Sequence, residues 1–342
     1  MRVFLFAALF AAIAGCGGPS AGTAGIVRVG YFPNLTHSQA IIGMARGDFA
    51  RALGEETTIE TILFNAGPSV IEALYAGEID IAYIGPNPAI TGFIRSGGEA
   101  LRIIAGATSG GAALVVRPES GIVNLEDIAG HRIATPQLGN TQDVALRNFI
   151  IGLGLSTLDE GGDVEVIPTE NPQILDLFRQ GLIDGAWVPE PWASRLIVEG
   201  GGVLLLDEIS IWPNGDFVTA HVIVSTPFLE ERPETVRRWL EAHVAITLWE
   251  TANPAEASAL LNLEIEKLTG KALAPEVIDM ALSNMRPTWD PVPASLFTSA
   301  RSAWLAGFLD EEPDLEGIYD LSILNSVLTE KGLEPVELPV GP

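Results

Sequence analysis

Short loops rich in Gly and Pro carry most of the side chains in this sequence that could bind a small molecule. The loops "FPNLTHSQ", "NAGPS", "IGPNPA", "ATSGGA" and "TPQLGNTQ" contain Ser, Thr, Asn, Gln and His but neither Lys nor Arg. An anion can be held without a cation, because a helix N-terminus presents unpaired N–H groups and a partial positive charge worth about 0.3–2 kcal/mol. The loops therefore predict a polar ligand site, and its expected residues are Asn34, His37, Asn65, Gly67, Gly85, Asn87, Thr108, Thr135, Gln137, Asn140 and Thr141.

Aromatic side chains accompany these loops. Tyr31 and the adjacent Phe32, together with Tyr83, Trp187 and Trp192, fall at or beside expected strand ends. A single aromatic residue usually packs in a core, but several at neighbouring strand ends are expected to leave some ring surface open. Such surfaces suit a planar ring, or the aliphatic part of an organosulfonate, better than bare nitrate or bicarbonate. We therefore predict these Tyr and Trp residues as ligand-binding residues.

Three ionisable or capping side chains have alternative interpretations. His37 could hydrogen-bond a ligand or its own loop. Glu190, between two prolines, could accept a hydrogen bond from a ligand amine or ring N–H, or pair with Arg195, the nearest basic residue. Asn140 could cap the following helix, with Asp143 reaching back to complete the arrangement. The sequence leaves all three open.

The residues do not form a recognisable catalytic or metal site. The sequence has four His and one Cys, without metal-ligand spacing, and it lacks a Walker loop, an H-E-x-x-H motif and a Ser-His-Asp order. We expect no metal, no cofactor and no enzymatic activity. An enzyme using His37 and Glu190 as acid and base is the less favoured alternative.

An internal repeat indicates which elements position these loops. "GEIDIAYIGPNP" returns later in the chain as "GLIDGAWVPEPW". Each copy ends a β-α-β-α-β pattern, which predicts a parallel sheet covered by helices. In such sheets ligands bind beyond the carboxyl ends of the strands. On this interpretation Tyr83 and Trp187 face one ligand from opposite sides.

Apolar runs between the repeats predict how the two lobes connect. "AALVVRP" precedes the second unit and "AHVIVSTP" follows it, as expected for a two-strand hinge. The predicted first lobe comprises residues 26–115 and 222–342, and the second lobe residues 116–221. The helix predicted from "SQAIIGMARGDFARALG" is continuous up to Gly54.

The N-terminus and the net charge predict location and partners. Residues 1–15 resemble a lipoprotein signal peptide, because Ile13-Ala14-Gly15-Cys16 is similar to a lipobox, where Cys16 would be lipidated. Residues 16–25 would form a flexible tether, leaving the protein outside the cytoplasmic membrane. The formal charge of −25 argues against nucleic acid as a partner.

Four segments together resemble a known family. "VRVGYFPNLTHSQAIIG", "NAGPSVIEALYAGEIDIAYIGPNPAI", "ATPQLGNTQDVALRNFI" and "GLIDGAWVPEPWASRL" are similar to the nitrate, aliphatic-sulfonate and taurine branch of ABC-importer substrate-binding proteins, which has thiamine-pyrimidine-binding relatives. The resemblance implies an α/β periplasmic-binding-protein type II fold, with two lobes joined by a two-strand hinge. It also implies a monomer that serves an ABC permease and ATPase.

The resemblance leaves the ligand open between two classes. It places an aliphatic sulfonate first, with a nitrate-type oxyanion as a variant of the same class. The cation-poor loops and the aromatic residues favour a neutral heteroaromatic nutrient instead, such as riboflavin or a thiamine precursor.

Overall fold

A computed structural model of the chain describes residues 25–339. The expected signal peptide, the lipidation site Cys16 and nearly all of the expected tether lie outside the described residues. No helix among those described is both long enough and apolar enough to span a bilayer.

The first lobe is built on a six-stranded mixed sheet. Its strands are β1 (Gly25–Tyr31), β2 (Thr57–Leu63), β3 (Ile81–Ile84), β4 (Leu101–Gly110), β10 (Val218–Ser225) and β11 (Met285–Pro287), in the spatial order β11-β4-β10-β3-β1-β2. Strand β1 is parallel to both β2 and β3, whereas β10 runs antiparallel to β3 and β4. The parallel part is the predicted first β-α-β-α-β unit.

The second lobe is built on a five-stranded sheet. Its strands are β5 (Ala112–Val116), β6 (Arg132–Pro136), β7 (Glu165–Thr169), β8 (Gly185–Pro189) and β9 (Val203–Asp207), in the spatial order β7-β6-β8-β5-β9. Strand β6 is parallel to β7 and β8, while β5 is antiparallel to β8 and β9. The two sheets confirm the predicted α/β fold of two lobes.

Helices cover both sheets. Those of the first repeat unit are α1 (Ser38–Arg46), α2 (Asp48–Leu53), α3 (Gly67–Tyr75) and α4 (Pro86–Arg95). Those of the second lobe are α5 (Thr141–Gly152), α6 (Asn171–Arg179) and α7 (Trp192–Val198). The C-terminal helices are α8 (Thr226–Glu231), α9 (Pro233–Ala252), α10 (Pro254–Thr269), α11 (Pro275–Ser283), α12 (Pro293–Leu305) and α13 (Ser322–Glu330). Buried residues of these six helices lie in the two core clusters built around the first sheet.

The helix predicted to run up to Gly54 is broken into α1 and α2. Gly47 separates them with a φ of 69°, in the left-handed region where glycine has no Cβ penalty. Apolar periodicity continues across the break, so it could not reveal the change of direction. The aromatic ring of Phe49 on α2 packs flat against Trp239 of α9.

The chain changes sheets at positions that differ from the predicted boundaries. Strand β5 lies wholly in the second sheet, and β10 lies in the first sheet from Val218 onward. The first crossing falls at Gly110 and Gly111, which have φ values of 77° and 76°. The chain returns to the first sheet at the start of β10, where the Thr219 hydroxyl donates to the Gly110 carbonyl. This hydrogen bond links the two segments that cross between the sheets. Apolar runs marked the strands but could not tell which sheet each one joins.

Candidate ligand-binding site

The carboxyl ends of the parallel strands in the two sheets face one another. The loops after β1, β2 and β3 of the first lobe therefore meet the loops after β6, β7 and β8 of the second. Helices α1, α3, α4, α5 and α6 begin at these loops, and none of them has a side-chain hydrogen bond from its capping residue. The seam between the lobes thus gathers helix N-termini whose N–H groups suit a negative charge.

The two lobes are in contact along this seam. The indole N–H of Trp192, in the second lobe, donates to Asn34 Oδ1 in the first at 3.0 Å. Farther along, Asn284 Nδ2 donates to Glu190 Oε1 at 2.9 Å. Val144 of α5 is buried within a core cluster that otherwise belongs to the first lobe. These contacts describe a closed arrangement of the lobes.

Gly85 and Thr141 approach each other closely across the seam. Gly85 precedes α4, Thr141 begins α5, and a Cβ atom at position 85 would overlap the Thr141 hydroxyl. Thr141 is 7% exposed, and its Oγ1 has no hydrogen-bond partner among the described residues. Closure to this degree therefore requires a glycine at position 85.

A pocket of about 410 Å³ opens beside this seam and is lined by both lobes. We call it the inter-lobe pocket. Its lining residues are Pro33, Asn34, Phe64, Asn65, Asn171, Pro172, Pro191, Trp192, Arg195, Ile265, Leu268, Thr269, Lys271, Ala272 and Leu273. The predicted residues Asn34, Asn65 and Trp192 are thus brought together, with amide, indole and apolar groups around a volume suited to a small molecule.

Arg195 and Lys271 bring positive charge to the lining of the inter-lobe pocket, and Arg179 lies beside them. Arg179, Arg195 and Lys271 all pair with the single carboxylate of Glu199, at 2.9, 3.0 and 3.4 Å respectively. Burial opposes ionisation of Glu199, but Arg195 and Lys271 outweigh that effect and lower its pKa. We call these four residues the cation cluster. Three cations around one carboxylate leave net positive charge at this edge of a chain whose formal charge is −25.

His37 is held by its own loop. The Phe32 backbone N–H donates to His37 Nδ1 at 3.1 Å, and the two rings stack with centroids 4.3 Å apart. Burial lowers the pKa of His37 to about 3, so its imidazole is neutral at physiological pH. This geometry supports the loop interpretation, since a neutral imidazole brings no positive charge to an anion.

Tyr83 and Trp187 are placed differently from the prediction. Each is the third residue of its strand, and each is fully buried in the core of its own lobe. The Tyr83 hydroxyl donates to His243 Nδ1 at 3.0 Å, because His243 Nε2 is already used toward the Gly106 carbonyl. The Trp187 indole donates to Glu208 at 2.7 Å. Both strands are buried on both faces, so an aromatic residue inside them cannot face the seam.

Three predicted polar residues satisfy the structure of a single lobe. The Thr108 hydroxyl donates to the Thr36 carbonyl at 2.7 Å, and Asn87 Nδ2 donates to the Ser299 carbonyl at 3.1 Å. The Thr135 hydroxyl donates to Asp143 Oδ1 at 2.9 Å. Residue type and loop position could not distinguish these internal bonds from ligand contacts.

Glu190 and Arg195 do not pair with each other. Glu190 accepts hydrogen bonds from Ser194 and Asn284, and burial raises its pKa. Arg195 instead binds Glu199 and lies over the Trp192 ring, 4.5 Å from its centroid. Both outcomes follow from the geometry at the start of α7. The Glu190 side chain faces the first turn of α7, whereas the Arg195 side chain faces the inter-lobe pocket.

The capping arrangement expected at Asn140 does not form, because the Asn140 backbone N–H donates to the Gln137 carbonyl instead of to Asp143. Asp143 Oδ2 accepts from the Gly139 backbone N–H at 2.8 Å, but the Asn140 side chain makes no capping bond. Asn140 is buried beside Thr141. The side chain of Gln137 is partly exposed, and the backbone φ of this residue is 36°. Of the other predicted residues, Tyr31 packs in the core of the first lobe and Gly67 begins α3, where a Cβ atom would overlap Pro88.

Asn171 and Lys271 line the inter-lobe pocket but were not predicted from the sequence. Asn171 begins α6 and is followed by Pro172, just as Gly67 begins α3 and is followed by Pro68. The internal repeat could therefore have identified Asn171. Lys271 lies after α10, in a C-terminal segment for which the sequence offered no link to the cleft. Across residues 25–339, no group of three or more His, Cys, Asp or Glu residues is arranged to hold a metal ion.

Solved structures with this fold cover nearly the whole chain. The alkanesulfonate-binding protein SsuA from Xanthomonas axonopodis pv. citri, bound to MOPS, is 20% identical with a TM-score of 0.74, covering 88% of this chain and 99% of that one. The nitrate-binding protein NrtA from Synechocystis PCC 6803 is 16% identical with a TM-score of 0.71, covering 89% and 88% of the two chains. These similarities confirm the predicted periplasmic-binding-protein fold.

Sequence relatives agree with the fold. The taurine-binding periplasmic protein of Escherichia coli (strain K12) is 27% identical over 218 residues, which cover 63% of this chain and 64% of that protein. A putative aliphatic sulfonates-binding protein of Bacillus subtilis (strain 168) is 24% identical over 315 residues, covering 89% and 88% of the two chains. The resemblance predicted from the sequence is confirmed by these relatives. Residues 22–263 match the model of the NMT1-like family, and the chain belongs to that family.

Proposed function

We propose that this protein is the extracytoplasmic solute-binding component of an ABC importer, and that it captures a small organic anion between its lobes. The observation that carries the proposal is the cation cluster beside the inter-lobe pocket. In a chain with 44 acidic and 19 basic residues, three cations converge there on one carboxylate. Their surplus charge offsets the long-range repulsion that the acidic surface exerts on an anion.

An aliphatic sulfonate is the ligand class that fits the pocket best. Its anionic head would bind near Arg195 and Lys271 and the N-terminus of α6. Its aliphatic part would lie against Trp192, Leu268 and Leu273. Taurine and alkanesulfonates, for which similar proteins are named, support this choice. The apolar lining favours it over a nitrate-type oxyanion, for which NrtA is named, because nitrate has no aliphatic part to cover.

A stacked heteroaromatic ligand is less well supported. Arg195 already lies over the Trp192 ring. Tyr83 and Trp187, which would have supplied further stacking surfaces, are buried in the lobe cores. The proposed role is binding and delivery, in keeping with similar proteins, which are named as binding proteins.

Binding would couple to closure of the lobes. The Trp192–Asn34 and Asn284–Glu190 hydrogen bonds join the two lobes and would exist only when they are closed. A ligand that touches both sides of the inter-lobe pocket would therefore favour the closed form through its differential affinity for it. The closed protein would present the anion to a permease and ATPase as a monomer.

The lipid anchor on Cys16 remains part of the proposal. It is supported by the Ile13-Ala14-Gly15-Cys16 sequence and by Cys16 being the only cysteine in the chain. In a bacterial host supplied with labelled palmitate, the full-length protein is expected to be labelled and to fractionate with membranes. A Cys16→Ser variant that was labelled as strongly as the wild type would contradict the anchor.

The ligand itself can be identified from the purified protein. Protein isolated under mild conditions would be denatured and the released small molecules analysed by mass spectrometry. We expect a small organic anion, with an aliphatic sulfonate as the predicted class. Release of a neutral heteroaromatic compound, or of a chemically altered product after incubation, would overturn the proposed function.

A further inference from the structure

Glu199 lies behind the cations of the inter-lobe pocket and is not itself one of the lining residues. It is the residue that ends α7, four positions after Arg195 on the same helix. Its two carboxylate oxygens accept hydrogen bonds from Arg195 Nε at 3.0 Å and from Arg195 Nη2 at 3.3 Å. Both side chains are mostly buried, so this bidentate pair is screened less by water and salt than an ordinary surface pair.

Arg179 anchors Glu199 from the neighbouring helix. Arg179 is the last residue of α6, and its Nε donates to the Glu199 backbone carbonyl at 3.2 Å. Its Nη2 also donates to Glu199 Oε2 at 2.9 Å. One arginine therefore fixes both the backbone and the carboxylate of Glu199, at a helix C-terminus where a cation is favourable. Glu199 is thus a rigid support for its other partners.

The guanidinium of Arg195 is held in two directions. Glu199 occupies its Nε–Nη2 edge, and the Trp192 ring lies 4.5 Å from its central carbon. Within residues 25–339, no acceptor bonds to Arg195 Nη1. A guanidinium carries five N–H donors in a rigid planar fork, so holding one edge also sets the direction of the Nη1–Nη2 edge. An anion in the pocket can use that second edge without first ordering the side chain.

Lys271 reaches Glu199 from the other lobe. It follows α10 of the first lobe, and its Nζ lies 3.4 Å from Glu199 Oε2 of the second lobe. The end of α7 meets the first lobe here, since Val198 packs against a core cluster of that lobe. Lys271 is well exposed, so the pair itself adds little stability. Its consequence is one of placement, because closure brings Lys271 to the carboxylate that already orients Arg195.

We propose that Glu199 is a positioning residue that orients Arg195 toward a bound anion and places Lys271 beside it when the lobes close. The inference rests on the proposed function and assigns to a carboxylate a favourable part in binding an anion. Coulomb repulsion alone gives the opposite sign, because a negative charge near the pocket weakens the binding of another negative charge. The sign of the effect of removing Glu199 therefore distinguishes positioning from charge.

The test compares two variants that each remove one negative charge near the pocket. Glu199→Gln keeps a side chain of the same size but cannot accept both Arg195 N–H groups. Glu170→Gln is the matched control, because Glu170 directly precedes α6, whose first residues line the pocket, and it forms no ion pair among the described residues. Calorimetry at low salt with ethanesulfonate, butanesulfonate and octanesulfonate identifies the sulfonate that the wild type binds most tightly. For that sulfonate, we expect Glu199→Gln to raise Kd about 10-fold and Glu170→Gln to leave it unchanged or lower it up to about 3-fold.

Two further measurements separate positioning from damage to the fold. Glu199→Asp keeps the charge but shortens the side chain by one methylene group, and it should also raise Kd, by about 3- to 10-fold. In an Arg195→Gln background, Glu199→Gln should change Kd by less than about 3-fold, because the residue that it orients is gone. A general loss of structure would lower affinity equally in both backgrounds.

The outcomes separate this inference from the proposed function. If the wild type binds a sulfonate but Glu199→Gln binds it as tightly or more tightly, as Glu170→Gln does, the positioning role is wrong and the proposed function stands. A full 10-fold loss that persists in the Arg195→Gln background would overturn the positioning role as well. A wild type that binds none of the three sulfonates would overturn the proposed aliphatic-sulfonate ligand and this inference with it.

Discussion

Glu250 is a carboxyl group enclosed in the first lobe. It is 6% exposed, and its Oε2 has no hydrogen-bond partner among the described residues. Burial raises its pKa to about 7, although the Ser38 side chain partly offsets this by favouring the ionised form. Between pH 4.5 and about 7 the folded protein therefore holds a proton that the unfolded chain has already released.

Stability should consequently fall as the pH rises through that window. A pKa raised from 4.5 to about 7 corresponds to about 3 kcal/mol of unfolding free energy lost between its ends. The variant Glu250→Gln cannot ionise, so relative to the wild type it should gain about 3 kcal/mol between pH 4.5 and pH 8. Urea unfolding at both pH values measures this change. The exposed Glu256→Gln on α10 is the control, and a wild-type and Glu250→Gln pair with parallel pH curves would refute the prediction.

Trp192 connects the lobes through a single polar atom. Trp192→Phe removes the indole N–H that donates to Asn34 while keeping an aromatic ring beneath Arg195. Because this bond belongs to the closed form, we expect ligand affinity to fall about 5-fold. Calorimetry on the variant measures the fall. Trp304→Phe, at a partly buried site in the first lobe, serves as the control, and unchanged affinity in Trp192→Phe would count against closure through this bond.

Helices α4 and α5 approach each other closely where they meet at the seam. Gly85 has extended backbone angles of −70° and 160°, which any residue can adopt, so Gly85→Ala leaves the first lobe unstrained. The added methyl group would nevertheless overlap the Thr141 hydroxyl and hold the lobes apart. Ligand affinity should fall about 10-fold or more, with little change in the melting temperature of the unliganded protein.

A matched glycine provides the comparison. Gly152 lies at the exposed end of α5, where an added Cβ would meet nothing within 4 Å. Gly152→Ala should bind ligand as the wild type does. If Gly85→Ala also bound with unchanged affinity, the closed arrangement described here would not be the ligand-bound one.

Much of the element order could be predicted because its signals are local. The alternation of apolar runs with Gly and Pro gave both repeat units, and the internal repeat gave the matching third strands β3 and β8. The inward position of Tyr83 and Trp187 could not be predicted, because where a strand ends decides whether an aromatic residue lies within the sheet or beyond it. The break at Gly47 and the crossing at Gly110 were hidden for a similar reason: both depend on backbone angles that apolar periodicity does not encode.

The candidate site was predicted in part. Asn34, Asn65 and Trp192 line the inter-lobe pocket because the loops at the carboxyl ends of parallel strands converge regardless of their side chains. Thr108 instead donates a hydrogen bond to the carbonyl of Thr36, which is distant in sequence. Thr135 donates one to Asp143, in the first turn of α5. Lys271 enters the pocket only through the packing of the C-terminal helices, which a single sequence does not specify.

At the scale of the whole molecule, the distribution of charge matters more than its total. The loops at the strand ends lack cations, which favours a neutral ligand as the alternative when the sequence is considered alone. The cation cluster is assembled from α6, α7 and the turn after α10, and none of its three cations lies in those loops. Folding therefore brings these three cations together into a positively charged site, which the overall composition does not reveal.

We propose that the two lobes close on a small organic anion at the inter-lobe pocket. The most direct test is calorimetric titration of a panel of aliphatic sulfonates into protein that has been unfolded to release bound ligand and then refolded. We predict one sulfonate bound per chain, with affinity that weakens as salt is added and that falls further in Arg195→Gln. No heat with any sulfonate, together with binding of a neutral heteroaromatic compound, would contradict closure on an organic anion.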